Sequence, residues 1–119
     1  MPRKLVMTGP VRDWLHALRT GDPVTRRLVS QAIDQLLDEG PQLGRPLVDR
    51  IAGSRLHNLK ELRPGSSGHS EVRILFIFDP VRNVVLLVAG DKSGRWTQWY
   101  HEAIPMAEAL YDQYVKEQR

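Results

Sequence analysis

LKELR at residues 59–63, VRILFIF at 72–78 and VVLLV at 84–88 are the three segments that decide the fold of this chain. Each is short, and the last two are apolar and rich in the β-branched and aromatic residues that favour strands. The polar stretches PGSSG at 64–68 and DPVRN at 79–83 separate them and have the composition of turns. The sequence therefore predicts three adjacent antiparallel strands.

The middle strand alternates in a way that assigns its two faces. Val72, Ile74, Phe76 and Phe78 lie on one side of a strand, because successive side chains point to opposite faces. This wholly apolar face is predicted to receive the helices. Arg73 falls on the opposite face, where an arginine needs either solvent or an anion.

Two helices are predicted before these strands and one after them. Apolar residues recur at helical spacing from 11 to 18 and from 24 to 37, and Asp22 followed by Pro23 is typical of a helix start. A third helical stripe covers 103–115, with Pro105 in its first turn. Residues 5–7 fit a short N-terminal strand, and 41–58 a connecting segment. The prediction is an α+β fold: two N-terminal helices packed on a small, mainly antiparallel sheet, plus a C-terminal helix.

Bulk composition narrows the class of protein. The 119 residues fit one domain, 1–119. No cysteine is present, which excludes disulfides, thiolate nucleophiles and cysteine zinc sites. The four histidines lack metal-ligand spacing, and no glycine-rich loop has a nucleotide-binding pattern, so neither a metal nor a cofactor is predicted. Apolar runs fall far short of the roughly 20 residues that span a membrane, so a cytoplasmic protein without membrane contact is expected.

Positive charge is concentrated around the strands. Residues 41–100 contain nine Lys or Arg against five Asp or Glu. This distribution predicts one cationic face suited to RNA. A solvated sheet edge, where Lys and Arg discourage aggregation, remains the alternative. The residues placed on this face are Lys60, Arg63, Arg73, Lys92, Arg95, Tyr100 and His101, and Arg55 and His57 are further candidates for RNA contact.

Arginine, lysine, tyrosine and histidine together suit RNA cleavage without a metal. The 2′-hydroxyl attacks its own phosphate, so one group must take a proton, another must give one, and cations must hold the extra charge. Neighbouring cations are expected to lower the pKa of a tyrosine or a lysine toward neutrality. Trp96 and Trp99 are candidates for stacking on unpaired bases, with packing against the C-terminal helix as the alternative.

The order of these elements and their motifs resembles the phage Gp49-like, HigB-like branch of the RelE/ParE toxin superfamily over roughly residues 10–117. The matching positions are the LKELR strand with Leu62 and Arg63, Arg73 near the start of the next strand, and Lys92 after the third. The resemblance implies the toxin of a type II toxin–antitoxin pair, an endoribonuclease that cuts mRNA on the ribosome. It also implies inhibition by a helix-turn-helix antitoxin, in a toxin–antitoxin hetero-oligomer.

Individual roles follow from the same resemblance. Arg73 is similar to the strand arginine that contacts the scissile phosphate, Arg63 to the arginine one strand earlier, and Tyr100 to the RelE tyrosine proposed to act on the attacking hydroxyl. His101 beside it is similar to the tyrosine–histidine pairing of HigB toxins, and Lys92 or Arg95 to the basic loop of RelE. Glu61 departs from the pattern, since RelE has a lysine at this position, and Lys60 points to the other face of the strand.

Two other functions fit the same sequence. One is a ParE-like poison that binds DNA gyrase and cleaves nothing. The other is an inactive member that only binds its antitoxin. In either case the expected antitoxin offers an acidic, partly disordered segment that offsets the positive face and folds on binding.

Overall fold

Five strands form one sheet in this computed structural model, which describes residues 3–118; Met1, Pro2 and Arg119 of the expected domain lie outside the described residues. The strands are β1 (Leu5–Met7), β2 (Val48–Arg50), β3 (Lys60–Leu62), β4 (Val72–Phe78) and β5 (Val84–Asp91). Their order across the sheet is β1-β5-β4-β3-β2. Only the β1–β5 pair, among the described residues, is parallel. The predicted α+β class and mainly antiparallel sheet are confirmed.

The predicted meander is confirmed as β3, β4 and β5, and the predicted N-terminal strand as β1. The prediction for residues 41–58 is incomplete, because this segment contains a 3-10 turn at Gly40–Gln42 and the strand β2. A three-residue strand is too short to show alternation. It forms by pairing along β3, and the backbone N–H of Arg63 extends the ladder by donating to Leu47 O at 2.7 Å.

Helices α1 (Gly9–Gly21) and α2 (Pro23–Glu39) are separated by Asp22 alone. The Asp22 carboxylate accepts from the backbone N–H of Thr25 at 3.1 Å, which satisfies one of the unpaired donors at the start of α2. The predicted N-cap is therefore confirmed. None of the helices in residues 3–118 combines the length and apolar content needed to cross a membrane.

Helices cover both faces of the sheet. α1 and α2 pack on the face of Ile74 and Phe76, as predicted. The third helix, α3 (Trp96–Glu117), packs on the opposite face against Leu75 and Ile77, so the expectation that one face alone receives the helices is wrong. The physical reason is that Leu75 and Ile77 are also apolar, which leaves Arg73 as a polar position at one end of an otherwise buried surface.

The start of the C-terminal helix differs from the prediction. α3 begins at Trp96, so the residues from Trp96 to His101 are helical and Pro105 lies inside the helix. Gly94, with φ of +74°, ends the preceding turn. The buried residues Trp99, Ala103 and Ala107 recur every four positions and extend the apolar stripe one turn toward the N-terminus.

Candidate active site

A buried carboxylate, Glu61 in β3, lies at the centre of the predicted site residues. Glu61 is 3% exposed. Its Oε1 accepts the hydroxyl of Tyr100 at 2.5 Å and lies 3.6 Å from Nε of Arg73. Its Oε2 accepts from Nη2 of Arg63 at 3.0 Å. Strand pairing and the docking of α3 thus bring Arg63, Arg73 and Tyr100 together, as the sequence predicted for these three, but around an anion.

Arg73 is largely enclosed, with 15% of its side chain exposed. Nη1 donates to the carbonyl of Val72 at 2.8 Å, and Nη2 is 4.0 Å from Glu71. Nε is buried and makes no hydrogen bond within residues 3–118. A buried donor without a partner costs free energy and calls for an explanation. This atom can donate to an anion that enters the site.

Lys92 follows β5 and is 4% exposed. Its Nζ lies 3.8 Å from the ring centroid of Trp96 and 5.1 Å from that of Tyr100. Burial, followed by the positive charge of Arg73, lowers the pKa of Lys92. The expected direction for this lysine is confirmed, with burial as the larger cause. A lysine that releases its proton more readily is better suited to act as a general acid near neutral pH.

The structure contradicts the expectation for Tyr100. Burial and the hydrogen bond to Glu61 raise the pKa of Tyr100 to about 12 and outweigh the opposing effect of Arg73. The phenol is therefore protonated at neutral pH and donates its hydrogen to Glu61. Tyr100 is a hydrogen-bond donor in the resting site and is not a ready base.

The predicted single cationic face is also wrong in this structure. Arg63 pairs with both Glu61 and Asp49, the latter at 3.2 Å, and Arg73 pairs with Glu61 and Glu71. Lys60 is on the opposite face of the sheet, where its Nζ lies 5.5 Å from the ring centroid of Phe78. The arrangement is a mixed-charge cluster, because carboxylates on the same strands neutralise the arginines.

Three other predicted RNA contacts are placed outside this cluster. Arg95 pairs with Glu102 on α3. Arg55 pairs with Asp112, also on α3, and its backbone N–H donates to Glu108 at 2.9 Å. His57 is exposed in the same loop. In this structure the two arginines hold α3 and its flanking segments in place through exposed ion pairs.

The two tryptophans have different environments. Trp99 is 7% exposed and packs so closely on Gly90 that a Cβ at this glycine would lie 2.7 Å from the indole Nε1. Trp99 is therefore buried and is not placed to stack on a base, but it packs from within α3 onto the sheet and not, as the alternative had it, from a loop onto the C-terminal helix. Trp96 is 55% exposed and is free to contact a ligand.

An open groove borders the cluster on the side of α3. Its volume is about 510 Å³, and it is lined mainly by apolar groups. Tyr100 belongs to both features, since its hydroxyl contacts Glu61 and its side chain lines the groove. His101 lines the same groove and is exposed. The remaining lining residues are Gly53, Trp96, Thr97, Ile104, Pro105 and Glu108.

Sequence reasoning noted Glu61 only as a departure from a family pattern and missed its central position. The available signal was a carboxylate in a predicted strand whose neighbours on the same and the adjacent strand are the arginines Arg63 and Arg73. The same reasoning also missed Glu108, which accepts from Ser54 Oγ at 2.7 Å. Within residues 3–118, no group of three His, Asp or Glu side chains could hold a metal ion. The chemistry available to the cluster is anion binding and proton transfer.

Comparison with known proteins gives consistent matches. The sequence profile of a family described as phage-derived protein Gp49-like matches residues 13–112. The chain is 54% identical over 105 residues to the candidate toxin HigB2 of Mycobacterium tuberculosis, a match that covers 88% of this chain and 51% of HigB2. It is 44% identical over 104 residues to the candidate toxin HigB3 of the same organism, covering 87% of this chain and 86% of HigB3. The chain thus spans about half the length of HigB2.

A solved structure matches the fold. An arginine-to-alanine double mutant of the E. coli toxin RelE in the free state superimposes with a TM-score of 0.61, covering 88% of this chain and 97% of that chain. The sequences are 14% identical, so this match concerns the fold alone.

Proposed function

The chain belongs to the phage-derived Gp49-like family, in the HigB-like branch of the RelE-like superfamily, and on that premise we propose that it is the toxin of a toxin–antitoxin pair. Its activity is metal-independent endonucleolytic cleavage of ribosome-bound mRNA in the cytoplasm. Its partner is a cognate helix-turn-helix antitoxin. The names of the two similar mycobacterial proteins support the toxin assignment.

The observation that carries the ribonuclease assignment is that a largely enclosed arginine and a buried lysine both lie beside a tyrosine–carboxylate hydrogen bond. Arg73 Nε is buried without a hydrogen bond, 3.6 Å from Glu61 Oε1, and Lys92 lies beside Tyr100 with a lowered pKa. Arginine suits a phosphate through its planar array of donors. A lysine of lowered pKa suits the leaving 5′-oxygen, which needs a proton.

The proposed reaction has one bond forming and one breaking. The 2′-oxygen attacks the adjacent phosphorus, the bond from phosphorus to the 5′-oxygen breaks, and the 5′-oxygen takes a proton from the Lys92 ammonium group. The phenolic oxygen of Tyr100 takes the 2′-hydroxyl proton while Tyr100 passes its own proton to Glu61, 2.5 Å away. Arg73 and Arg63 hold the extra negative charge on the phosphate. The products are a 2′,3′-cyclic phosphate and a 5′-hydroxyl. A role for His101 remains a prediction.

The test is cleavage of a defined mRNA on programmed ribosomes by the purified chain. Arg73→Ala should reduce the cleavage rate by roughly 10²–10³-fold, the usual effect of removing one group that stabilises transition-state charge. Arg27→Ala is the matched control, because Arg27 is an exposed arginine on α2, away from the site. Cleavage by Arg73→Ala at the wild-type rate would overturn the assignment.

Expression of the chain in cells that lack its antitoxin separates the two alternatives. A ParE-like poison leaves mRNA intact and causes DNA breaks to accumulate after induction. An inactive member allows normal growth without its antitoxin. For the proposed function, we expect growth arrest with mRNA cleavage and without DNA breaks.

A further inference from the structure

The groove beside Tyr100 has no role in the proton transfers proposed above, although it adjoins the residues that perform them. Trp96 presents an exposed indole at one side, and Lys92 Nζ lies over the same ring. The volume of the groove, about 510 Å³, falls in the range of small-ligand sites, roughly 300–1,000 Å³. A ligand held at the Glu61 cluster can therefore place a flat apolar group directly in the groove.

A fixed negative charge in the groove restricts what can bind there. Glu108 accepts from Ser54 Oγ at 2.7 Å and from the backbone N–H of Arg55 at 2.9 Å. These hydrogen bonds lower the pKa of Glu108, so it is ionised at neutral pH. An ionised carboxylate disfavours a phosphate in this groove and can accept from an N–H group. The cationic Lys92 lies at the Trp96 side, where it favours a phosphate at the edge of the groove.

From these observations we propose that the groove binds one unpaired nucleobase of the RNA, stacked on Trp96, while the adjoining phosphate lies at Arg73 and Lys92. This inference rests on the proposed function, because RNA is the ligand. Aromatic stacking accepts any base, since every base has a π-face. Glu108 adds a preference for bases that present an N–H at the edge pointing toward it. The groove is thus the place at which the protein itself distinguishes one base of the RNA from another.

The test measures binding of a hexaribonucleotide made entirely of 2′-O-methyl residues, which cannot undergo the cleavage reaction. Six further oligonucleotides each lack one base at one position. For the wild-type chain, removal of one particular base should weaken binding by about tenfold, the lower part of the range for base stacking on an aromatic ring. Removal of the bases distant from the groove should have little effect.

Variants at Trp96 identify the group responsible. Trp96→Leu should bind the complete oligonucleotide about tenfold more weakly and should no longer distinguish it from the sensitive abasic one. Trp96→Phe, which keeps an aromatic ring, should retain the distinction. Met106→Ala is the matched control, because Met106 is 48% exposed on the same helix and does not line the groove. Lys92→Met should weaken binding of complete and abasic oligonucleotides equally, through the phosphate.

The outcomes separate this inference from the proposed function. A chain that cleaves mRNA, but in which Trp96→Leu keeps the full abasic effect, disproves the base site and leaves the ribonuclease assignment standing. A chain that shows the predicted abasic pattern without cleaving mRNA supports the base site and disproves the ribonuclease. Absence of any oligonucleotide binding, with the variants folded by circular dichroism, overturns the inference.

Discussion

Glu61 has two opposing effects at the scale of single residues. It stabilises the fold by pairing with Arg63 and Arg73, and it occupies the positive charge that a phosphate would otherwise contact. Burial makes both effects strong, because a carboxylate that is 3% exposed is poorly screened by water. An incoming phosphate must therefore compete with a group that the protein already holds in place.

Glu61→Gln is predicted to lower stability and raise affinity for RNA. Loss of the charge leaves the enclosed guanidinium of Arg73 with a single distant carboxylate, which should cost roughly 1–3 kcal/mol of unfolding free energy. Urea denaturation measures this change, and binding of an uncleavable RNA measures the affinity. Glu71→Gln is the control, because Glu71 is 30% exposed and 4.0 Å from Arg73. Equal stability of the two variants would contradict the central role of Glu61.

The ionisation of Tyr100 predicts a pH dependence of stability. The folded chain holds the phenolic proton more tightly than the unfolded chain, because the pKa rises from 10.0 to about 12 on folding. The resulting stabilisation is complete below pH 10 and is lost as the pH rises toward 12. Tyr100→Phe should show a smaller fall in unfolding free energy across this window, measured by urea denaturation at a series of pH values.

Other groups with shifted pKa values also affect stability at high pH, so the measurement compares wild type with Tyr100→Phe. Tyr111 and Tyr114 also have raised pKa values, chiefly through burial. They therefore lower the unfolding free energy of both chains as the pH rises. Lys92 has a lowered pKa, so its contribution raises the unfolding free energy as the pH rises. The difference between wild type and Tyr100→Phe therefore isolates Tyr100. Parallel curves for the two chains would show that its proton is not held more tightly in the folded state.

At the scale of elements, the position of α3 depends on one glycine in β5. Gly90 pairs with Arg73 in the sheet, and the indole of Trp99 lies directly above it. Trp99 in turn packs edge-to-face with Tyr100, with ring centroids 5.1 Å apart. The absence of a side chain at Gly90 thus sets how near Tyr100 comes to Glu61.

Gly90→Ala is predicted to lift the start of α3 away from the sheet. A Cβ would lie 2.7 Å from Trp99 Nε1, closer than van der Waals contact allows. The cost should be about 1–3 kcal/mol, as for other overpacked cores. The measurement is urea denaturation together with the cleavage assay, in which the displaced Tyr100 should lower the rate. Gly44→Ala is the control, since no atom lies within 4 Å of its added Cβ; equal effects of both changes would disprove the close packing.

The sequence predicted best those helices and strands that are long enough to show a pattern of apolar residues. β4 has the predicted bounds because its seven residues, mostly β-branched or aromatic, lie between two polar turn segments. β2 has three residues and exists through its neighbour β3, which no local pattern reveals. The predicted third helix covers 103–115 with Pro105 in its first turn, whereas the spacing of Trp99, Ala103 and Ala107 extends α3 further toward its N-terminus.

The candidate site was predictable to the extent that strand adjacency determines it. Arg63, Arg73 and Tyr100 meet as expected because neighbouring strands and the next helix must place them together. The neutralising effect of Asp49 and Glu61 was not predicted, because it depends on register and on how deeply each carboxylate is buried. The pKa of Tyr100 was predicted in the wrong direction for the same reason.

At the scale of the whole molecule, the sheet is covered on both faces, and α3 covers most of the second apolar cluster, together with Leu59 and the segment before it. That face includes Leu75, Ile77, Val85 and Leu87, all buried. A hydrogen bond of 2.7 Å from Tyr114 to Asp79 attaches the far end of α3 to the β4–β5 turn. Stability of the sheet and completion of the site therefore depend on the same helix.

A chain ending at Arg95 is predicted to lose cooperative unfolding. Without α3, one face of the sheet exposes a large apolar area to water. The unfolding free energy of a domain is only about 5–15 kcal/mol, which is too small to offset this exposure. Circular dichroism during urea denaturation measures the transition. A chain ending at Glu117 is the control and should unfold as the full chain does. A sharp transition in the shorter chain would show that α1, α2 and the sheet fold independently.

The place of α3 in the chain has a consequence for biosynthesis. A ribosome makes Arg63, Arg73 and Lys92 first, and Tyr100 only afterwards, as part of the helix that completes the core. Domains fold as units as they emerge during synthesis, so a partly made chain holds these three cationic residues without the tyrosine or the fold that positions them. On the proposed function, the ribosome that translates this chain therefore meets no complete site until α3 has been made.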